Sequence, residues 1–422
     1  MSEYTPLSTH AATAQIVNAT DQGMLLRTGS AALTASVGSP TSRHDHRWTT
    51  RKWEVAPDHV GAWIAESDFG TAPAVTRALH DAVDAGFLTY LPQHTAAEAE
   101  RECAAFLKRR FAWDVPVERV HLVADVVEGL RVMLRNFAAP GQPVVVPTPC
   151  YAPFLSTPRK LGRAVIEVPS VQADGRWQLD LDGIERALSG GGVLVLCNPH
   201  NPLGQVMREA EMVLLAEVVD RTGSRVFSDE IHAPVVYAGA HHIPYASTSE
   251  IAAQHTVTAT ATSKGWNIPG LKAAQLILTS DADQQLWVER DIVPSQNGSI
   301  LGAIGAIAAY RDSAEWLDET IQRFDRNRRL LTELLRVHAP HARYHEPEAT
   351  YLAWIDLSAY DLPSRPAEYL AQHARVVTSE GADSGVGYEK WVRFNFAMAP
   401  ELLTRAVESL GRALASRPLA ER

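Results

Sequence analysis

Short apolar runs alternate with amphipathic segments through the middle of the chain. Such runs lie at 143–147, 192–196 and 225–228, and segments with helical periodicity at 181–188 and 209–222 separate them. Apolar runs of this length, bounded by turn residues, are typical of strands that are buried on both faces. Strands that alternate with helices predict a mostly parallel sheet with helices on both sides.

The rest of the chain divides around this region. Residues 1–42 are rich in Ala, Thr and Ser and predict an arm rather than a domain. After residue 336, strand patterns at 350–355 and 390–396 mix with helix patterns at 366–373 and 399–415, which predicts a smaller α+β lobe. The expected division is an N-terminal arm (1–42), a first part of the small domain with its linker (43–92), a large domain (93–310) and a C-terminal small domain (311–422).

Composition narrows the class of protein. The 422 residues are 46% hydrophobic and carry a formal net charge of −10, without a basic stripe of the kind that binds nucleic acid. Neither a signal peptide nor an apolar run of about 18 residues is visible, so we expect a cytoplasmic protein without membrane contact. The three cysteines are far apart, and the histidine pairs are adjacent in sequence, so no metal site is expected.

One lysine stands out at the end of a strand pattern. An alternating run at 256–262 predicts a strand, and Ser263 and Lys264 follow it directly. Gly265, Pro269 and Gly270 then predict a sharp turn. A lysine that loses solvation in such a place becomes a nucleophilic amine, although a surface lysine after a strand has the same local pattern.

Other polar side chains follow neighbouring strands. Asn201 lies in a loop with two prolines and a glycine, and Asp229 ends the strand pattern at 225–228. A turn asparagine and a capping aspartate are the simpler interpretations of these two residues. Arg393 lies in the middle of a strand pattern, where an inward arginine suits capture of a carboxylate. Strand ends of a parallel sheet share one edge, so we expect Asn201, Asp229 and Lys264 to meet there.

The order and spacing of these residues resemble those of fold-type I pyridoxal 5′-phosphate enzymes, the aspartate aminotransferase superfamily. The chain is most similar to the cystathionine β-lyase-type branch known as the MalY/PatB group, from about residue 43 to about residue 415. The matching motifs are Lys52-Trp53, Trp63-Ile-Ala-Glu-Ser-Asp68-Phe69, Asn198-Pro-His-Asn-Pro-Leu-Gly204, Ser228-Asp-Glu-Ile-His232, Ser263-Lys264-Gly-Trp-Asn267 and Arg393-Phe-Asn-Phe-Ala397. The resemblance implies a large domain with a mostly parallel seven-stranded sheet between helices, and a smaller α+β domain.

The resemblance also implies roles around the cofactor ring. Lys264 would hold pyridoxal 5′-phosphate through its amine and then remove the proton from the substrate Cα. Asp229 would pair with the protonated pyridine nitrogen, and Asn201 would donate to the ring oxygen, with His232 near that oxygen. Tyr151 would stack on the ring.

Further roles concern the cofactor phosphate and the substrate. The phosphate would bind to the backbone amides of Val126 and Val127 and to the Ser263 hydroxyl. Tyr90 would reach the phosphate of a neighbouring subunit, which implies a homodimer with shared active sites. Arg393 would bind the substrate α-carboxylate, and Asp68 would lie at the substrate end of the site.

Three segments depart from the family pattern. Asp125 stands where the phosphate loop commonly has glycine, and a carboxylate near a phosphate is unfavourable. Either Asp125 points away, or the assignment of the phosphate to Val126 and Val127 is off by one residue. Glu66 and Ser67 replace the Asp and Met of the usual Ala-Asp-Met-Asp-Phe segment, and Leu91 follows Tyr90 where the family has Gly-Tyr-Thr. These changes put the usual substrate in doubt and leave cofactor binding as expected.

The expected activity is a C–S β-lyase that cleaves a cysteine S-conjugate to a thiol, pyruvate and ammonia, with a place in secondary metabolism. The same residues fit two other outcomes, an aminotransferase and a decarboxylation with oxidative deamination that yields an aldehyde. These outcomes differ in which bond, at Cα or beyond it, breaks and in where the Cα proton goes. A non-enzymatic regulator is disfavoured because Lys264, Asp229 and Arg393 are all present and no basic helix-turn-helix is visible.

Overall fold

The computed structural model describes residues 49–173, 175–290, 292 and 298–420, so the predicted arm at 1–42 lies outside the described residues. The helices are α1 (Pro73–Asp84), α2 (Gln93–Phe111), α3 (Val126–Asn136), α4 (Pro153–Lys160), α5 (Leu181–Leu188), α6 (Glu209–Arg221), α7 (Glu250–His255), α8 (Asp281–Glu289), α9 (Ile300–Asp312), α10 (Ala314–His338), α11 (Pro366–Ala374) and α12 (Pro400–Ala415). The strands are β1 (Val60–Gly61), β2 (Val120–Val123), β3 (Val144–Thr148), β4 (Val165–Pro169), β5 (Val171–Ala173), β6 (Arg176–Gln178), β7 (Val193–Cys197), β8 (Arg225–Asp229), β9 (Thr256–Thr260), β10 (Ala274–Leu278), β11 (Arg343–Tyr344), β12 (Leu352–Asp356), β13 (Val376–Val377), β14 (Ser379–Glu380) and β15 (Trp391–Asn395).

The larger sheet has seven strands in the order β2-β10-β9-β8-β7-β3-β4. Strand β10 runs antiparallel to both of its neighbours, and the other pairs are parallel. The prediction of a mostly parallel seven-stranded sheet is therefore confirmed. A parallel sheet of this kind needs helical cover on both faces.

Burial on both faces explains the continuous apolar runs. Along β7, Val193 and Val195 belong to the core that includes residues of α3. Leu194 and Leu196 point the other way, into the core formed with α5 and α6. Successive side chains of a strand face opposite sides, so a strand between two helical layers needs apolar residues at every position.

A second, smaller sheet carries the predicted arginine. Its four strands follow the order β11-β12-β15-β14 and pair antiparallel. Arg393 occupies the middle of β15, opposite Trp354 of β12. The α+β character predicted for this part of the chain is confirmed, whereas the proposed domain boundaries at 92 and 310 remain predictions.

A short parallel pair joins the start of the described chain to this region. Val60 and Gly61 of β1 pair with Val376 and Val377 of β13. A Cβ atom on Gly61 would lie 2.0 Å from the carbonyl oxygen of Lys52, so only glycine allows this approach. The pairing places residues 62–69, which follow β1, next to the edge where the large sheet ends.

The strand before Lys264 is shorter than predicted. It ends at Thr260 instead of Thr262, because the chain then forms a turn in which the Trp266 amide donates to the Thr262 carbonyl over 3.0 Å. Ser263 and Lys264 consequently lie on the turn itself, with more freedom of direction than strand residues have. Among the described residues, no helix is both long and apolar enough to cross a membrane.

Candidate active site

Three parallel strands end side by side and carry the predicted polar residues. Cys197, the last residue of β7, pairs with Asp229 of β8, and Asp229 pairs with Ala259 of β9. Asn201 lies on the loop after β7, and Lys264 lies on the turn after β9. The carboxyl edge of the sheet therefore gathers these side chains, as the topology predicts.

Asp229 is a buried carboxylate whose ionisation is costly without a cation beside it. It is 4% exposed, and its Oδ1 accepts a hydrogen bond of 3.0 Å from the amide of Ile231. Burial raises the pKa of Asp229 to about 7, the Ile231 amide lowers it, the charge of Glu230 raises it and that of Lys264 lowers it. A permanent cation beside this carboxylate would remove much of the cost of its ionisation.

Lys264 projects back toward residues 63–67. Its Nζ donates to the carbonyl oxygen of Ala65 over 2.9 Å. Burial lowers the pKa of Lys264 to about 8, helped by the charge of Arg393 and opposed by Glu66 and Asp229. The pKa of this amine is thus closer to neutral pH than that of a solvated lysine, which favours the unprotonated form that a nucleophile and a general base require.

Arg393 is held by three hydrogen bonds that leave part of its guanidinium unused. Nη1 donates to Asn201 Oδ1 over 3.0 Å, and Nη2 donates to the Trp63 carbonyl over 2.9 Å and to Ser379 Oγ over 3.2 Å. The Nε atom is buried and has no hydrogen-bond partner among the described residues. Two of the five N–H donors of a guanidinium therefore remain for a ligand, which suits a carboxylate.

The side chains predicted for the ring surround the same space. Asn201 turns its Oδ1 toward Arg393, so its amide N–H donors remain for another acceptor. His232 is buried, and burial together with the charges of Lys264 and Arg393 holds its pKa well below the ordinary value, so it is neutral. Burial also raises the pKa of Tyr151, whose hydroxyl lies within electrostatic range of Arg393 and Asp229.

The first turn of α3 is the candidate site for the cofactor phosphate. Asp125 is its N-cap and accepts from the Glu128 amide over 2.7 Å. The other Asp125 oxygen pairs with Lys272 Nζ at 2.9 Å, and neither oxygen is hydrogen-bonded to the amide of Val126 or Val127. The first N–H groups of a helix have no partner within the helix and attract anions.

Lys272 is a residue of this site that the sequence analysis missed. It follows the Pro269–Leu271 turn in a left-handed backbone conformation, with φ of 56°. Such a conformation is unfavourable for a residue other than glycine. The sequence feature that could have identified Lys272 is a second lysine at the end of the same glycine- and proline-rich turn that carries Lys264.

The remaining predicted residues lie in different surroundings. Ser263 is half-buried beside Lys264. The carboxylate of Asp68 accepts from Trp53 Nε1 at 3.0 Å and pairs with Lys52 Nζ at 3.1 Å, so a direct substrate contact of Asp68 stays a prediction. Tyr90 is 97% exposed and so does not contribute to the site of its own chain.

These residues fit pyridoxal 5′-phosphate. Asp229 suits the protonated ring nitrogen, the free N–H donors of Asn201 suit the ring oxygen, and the amides of Val126 and Val127 suit the phosphate. Lys264 would supply the amine that bonds the aldehyde. When bound, this cofactor supplies a ring that accepts the electron pair of a bond broken at the substrate Cα.

Replacing Arg393 with lysine is expected to raise KM for an amino-acid substrate by about 10- to 100-fold, with a smaller change in kcat. The reason is that an ammonium group cannot make two parallel bonds to a carboxylate while also holding Asn201 and Trp63. Steady-state kinetics would measure the effect. Arg343→Lys is the matched control, because Arg343 pairs with Asp356 within the same four-stranded sheet and remote from the site; equal KM values for the two variants would contradict the assignment.

Comparison with known proteins agrees with this geometry. Residues 64–410 match the family model described as aminotransferase class I and II. The chain is 36% identical over 367 residues to cystathionine β-lyase of Corynebacterium glutamicum, covering 86% of this chain and 96% of that protein. It is 31% identical to cystathionine β-lyase PatB of Bacillus subtilis, covering 82% of this chain and 91% of that protein.

A solved structure gives the same result for the fold. Cystalysin of Treponema denticola, whose crystal structure contains pyridoxal 5′-phosphate, superposes with a TM-score of 0.83 and 27% identity, covering 90% of this chain and 98% of that one. The family match spans well over half of the chain, which confirms the resemblance drawn from the motifs. This chain therefore belongs to the aminotransferase class I and II family and is a fold-type I enzyme that depends on pyridoxal 5′-phosphate.

Proposed function

We propose that this enzyme is a C–S β-lyase that cleaves a cysteine S-conjugate to a thiol, pyruvate and ammonia. The observation that carries the proposal is the Lys264 amine, whose pKa is lowered and which is within electrostatic range of the Asp229 carboxylate and the Arg393 guanidinium. Relatives named as cystathionine β-lyases, which match almost over their whole length, support the same reaction class.

Each of the three residues has a task in this reaction. Arg393 holds the substrate α-carboxylate, which orients the Cα–H bond toward the lysine. Lys264 takes the Cα proton as a general base and keeps it as an ammonium. Asp229 keeps the cationic ring nitrogen protonated in its buried position. The thiolate then leaves from Cβ, and water converts the remaining three-carbon unit to pyruvate and ammonia.

The proposal includes a homodimer with shared active sites. Val83, Phe87 and Leu88 are 47%, 44% and 63% exposed, and Tyr90 beside them is 97% exposed. An exposed apolar group of this kind marks a protein interaction surface. A symmetric second copy of the chain would cover it and bring each Tyr90 to the phosphate site of its partner.

Mixing two inactive variants tests the shared site. Tyr90→Ala and Lys264→Ala dimers are each expected to be poorly active, and random exchange of subunits should restore about a quarter of wild-type activity, since one site of each mixed dimer is intact. Lys264→Ala mixed with Arg393→Ala is the control, because those residues act in the same chain and no mixed site is intact. Failure of the first mixture to recover activity would contradict Tyr90 as a partner residue.

Product analysis with a cysteine S-conjugate tests the reaction itself. A free thiol together with equimolar pyruvate is the expected result. A 2-oxo acid that retains the sulfur substituent would instead identify an aminotransferase. An aldehyde with carbon dioxide and oxygen consumption would identify oxidative decarboxylation. Either of the last two outcomes overturns the lyase proposal, while Lys264 and Arg393 would keep their places in the site.

A further inference from the structure

Backbone carbonyls within residues 63–67 accept hydrogen bonds from both Arg393 and Lys264. The Trp63 carbonyl accepts from Arg393, and the Ala65 carbonyl accepts from Lys264, each over 2.9 Å. Because these carbonyls belong to one short stretch of chain, the distance between the substrate-binding arginine and the catalytic lysine depends on how firmly that stretch is held.

Two asparagines hold the stretch. Asn395 Nδ2 donates to the carbonyls of Ile64 over 2.6 Å and Glu66 over 2.7 Å, on either side of Ala65. Asn267 Oδ1 accepts from the Ser67 amide over 2.9 Å, and its Nδ2 donates to the Ser67 carbonyl over 2.8 Å. The carbonyl of Ala65 is therefore fixed in place by bonds on its neighbours.

A second donor reaches the same carbonyl as Lys264. Tyr351 is fully buried, and its hydroxyl donates to the Ala65 oxygen over 3.0 Å. Burial raises the pKa of Tyr351, so the phenol stays protonated and donates throughout the working pH range. A carbonyl that accepts two hydrogen bonds shares its negative partial charge between them, and each bond is weaker than it would be alone.

We propose that Tyr351 is a positioning residue that weakens the hold of the Ala65 carbonyl on the Lys264 ammonium. The inference rests on the proposed role of Lys264 as the base at Cα. After Lys264 has taken the proton, its ammonium needs an acceptor, and the Ala65 carbonyl is within hydrogen-bond distance. Because Tyr351 donates to the same oxygen, the hydrogen bond from the Lys264 ammonium to the Ala65 carbonyl stays weak. The lysine therefore releases its proton readily at the end of the reaction.

The other charges around Lys264 do not depend on the Tyr351 hydroxyl. Arg393 of β15 lowers the pKa of Lys264, Glu66 and Asp229 raise it, and the nearby His232 is neutral. These groups remain in a Tyr351→Phe variant, and the asparagine clamps keep Ala65 where it is. The variant therefore isolates the effect of one hydrogen bond.

The test is the pKa of Lys264 in the full-length protein after removal of the cofactor. The rate at which acetic anhydride labels Lys264, followed by mass spectrometry of the Lys264 peptide across pH, reports this pKa. Tyr351→Phe is expected to raise it, so that labelling at pH 7 slows by about two- to fivefold. Tyr344→Phe is the control, because it removes another buried hydroxyl, one that makes no hydrogen bond to Ala65 or Lys264.

A second variant guards against a folding defect. Replacing Tyr351 with 3-fluorotyrosine keeps the ring and makes the hydroxyl a stronger donor, so labelling of Lys264 is expected to become faster. An unchanged or lowered pKa of Lys264 in Tyr351→Phe, or slower labelling in the fluorinated protein, overturns the inference. The labelling involves no substrate, so its outcome is independent of whether product analysis supports the lyase.

Discussion

Replacing Lys264 with alanine is expected to lower kcat by about four orders of magnitude or more, because a general base and a covalent anchor are lost together. The change removes the amine that lies 2.9 Å from the Ala65 carbonyl and faces Asp229 and Arg393. The absorption band that lysine-bonded cofactor gives near the visible edge should vanish from the purified protein as well.

Lys108→Ala is the control for this experiment. Lys108 is exposed and pairs with Asp114 on the surface, so its loss should leave both absorbance and turnover near wild-type values. Persistence of the band in Lys264→Ala would show that another amine bonds the cofactor. The assignment of the central residue would then be wrong.

Replacing Asp229 with asparagine is expected to lower kcat by about two to three orders of magnitude. Removal of one partner from a buried ion pair costs about 3–5 kcal/mol, and each 1.4 kcal/mol corresponds to about a factor of ten. Asparagine has nearly the same shape, so the loss reports the charge. Steady-state kinetics at saturating cofactor would measure it, with the exposed Asp220→Asn as control.

The raised pKa of Asp229 also predicts how the stability of the cofactor-free protein depends on pH. The pKa of Asp229 is about 7 in the folded protein, above its ordinary value of 3.8. Between these values the folded chain keeps a proton on Asp229 that the unfolded chain has released, so the contribution of Asp229 to the free energy of unfolding falls as pH rises from 4 to 7. The loss is up to about 4 kcal/mol, at about 1.4 kcal/mol per pKa unit.

Asp229→Asn should remove this pH dependence. In urea unfolding of the cofactor-free proteins, the variant is expected to match wild type at pH 4 and to exceed it in stability at pH 7.5. A difference in unfolding free energy that stays constant with pH would contradict the raised pKa. Bound cofactor should reduce the difference, because its cationic nitrogen then compensates the carboxylate.

Much of the fold follows from local pattern. The helix at Leu181–Leu188 has the predicted bounds, and the strand at Val193–Cys197 begins and ends one residue later than the predicted run at 192–196. Strands buried on both faces are apolar at each position, which makes them visible in the sequence. The end of β9 at Thr260 does not follow from the local pattern. It depends on the turn after the strand, in which the Trp266 amide donates to the Thr262 carbonyl.

The meeting of Asn201, Asp229 and Lys264 was also within reach of the sequence. Each of them follows a strand of the same parallel sheet, and parallel topology brings such positions to one edge. The hydrogen bond from Arg393 to Asn201 Oδ1 was not predictable, because 192 positions separate these residues, and Asn201 lies on a loop after the large sheet whereas Arg393 lies in the smaller sheet. Lys272 was missed because its contact with Asp125 spans 147 positions.

The sequence by itself therefore identifies a lysine and a carboxylate that suit one cofactor, and an arginine that suits the carboxylate of its substrate. The tertiary structure alone assigns the backbone carbonyls of Trp63 and Ala65 to Arg393 and Lys264, and it adds Tyr351 to the second of these contacts. Every residue carries a carbonyl, so no sequence pattern distinguishes the two that face the site. Their direction depends on the β1–β13 pairing and on the asparagine clamps, which join segments far apart in the chain.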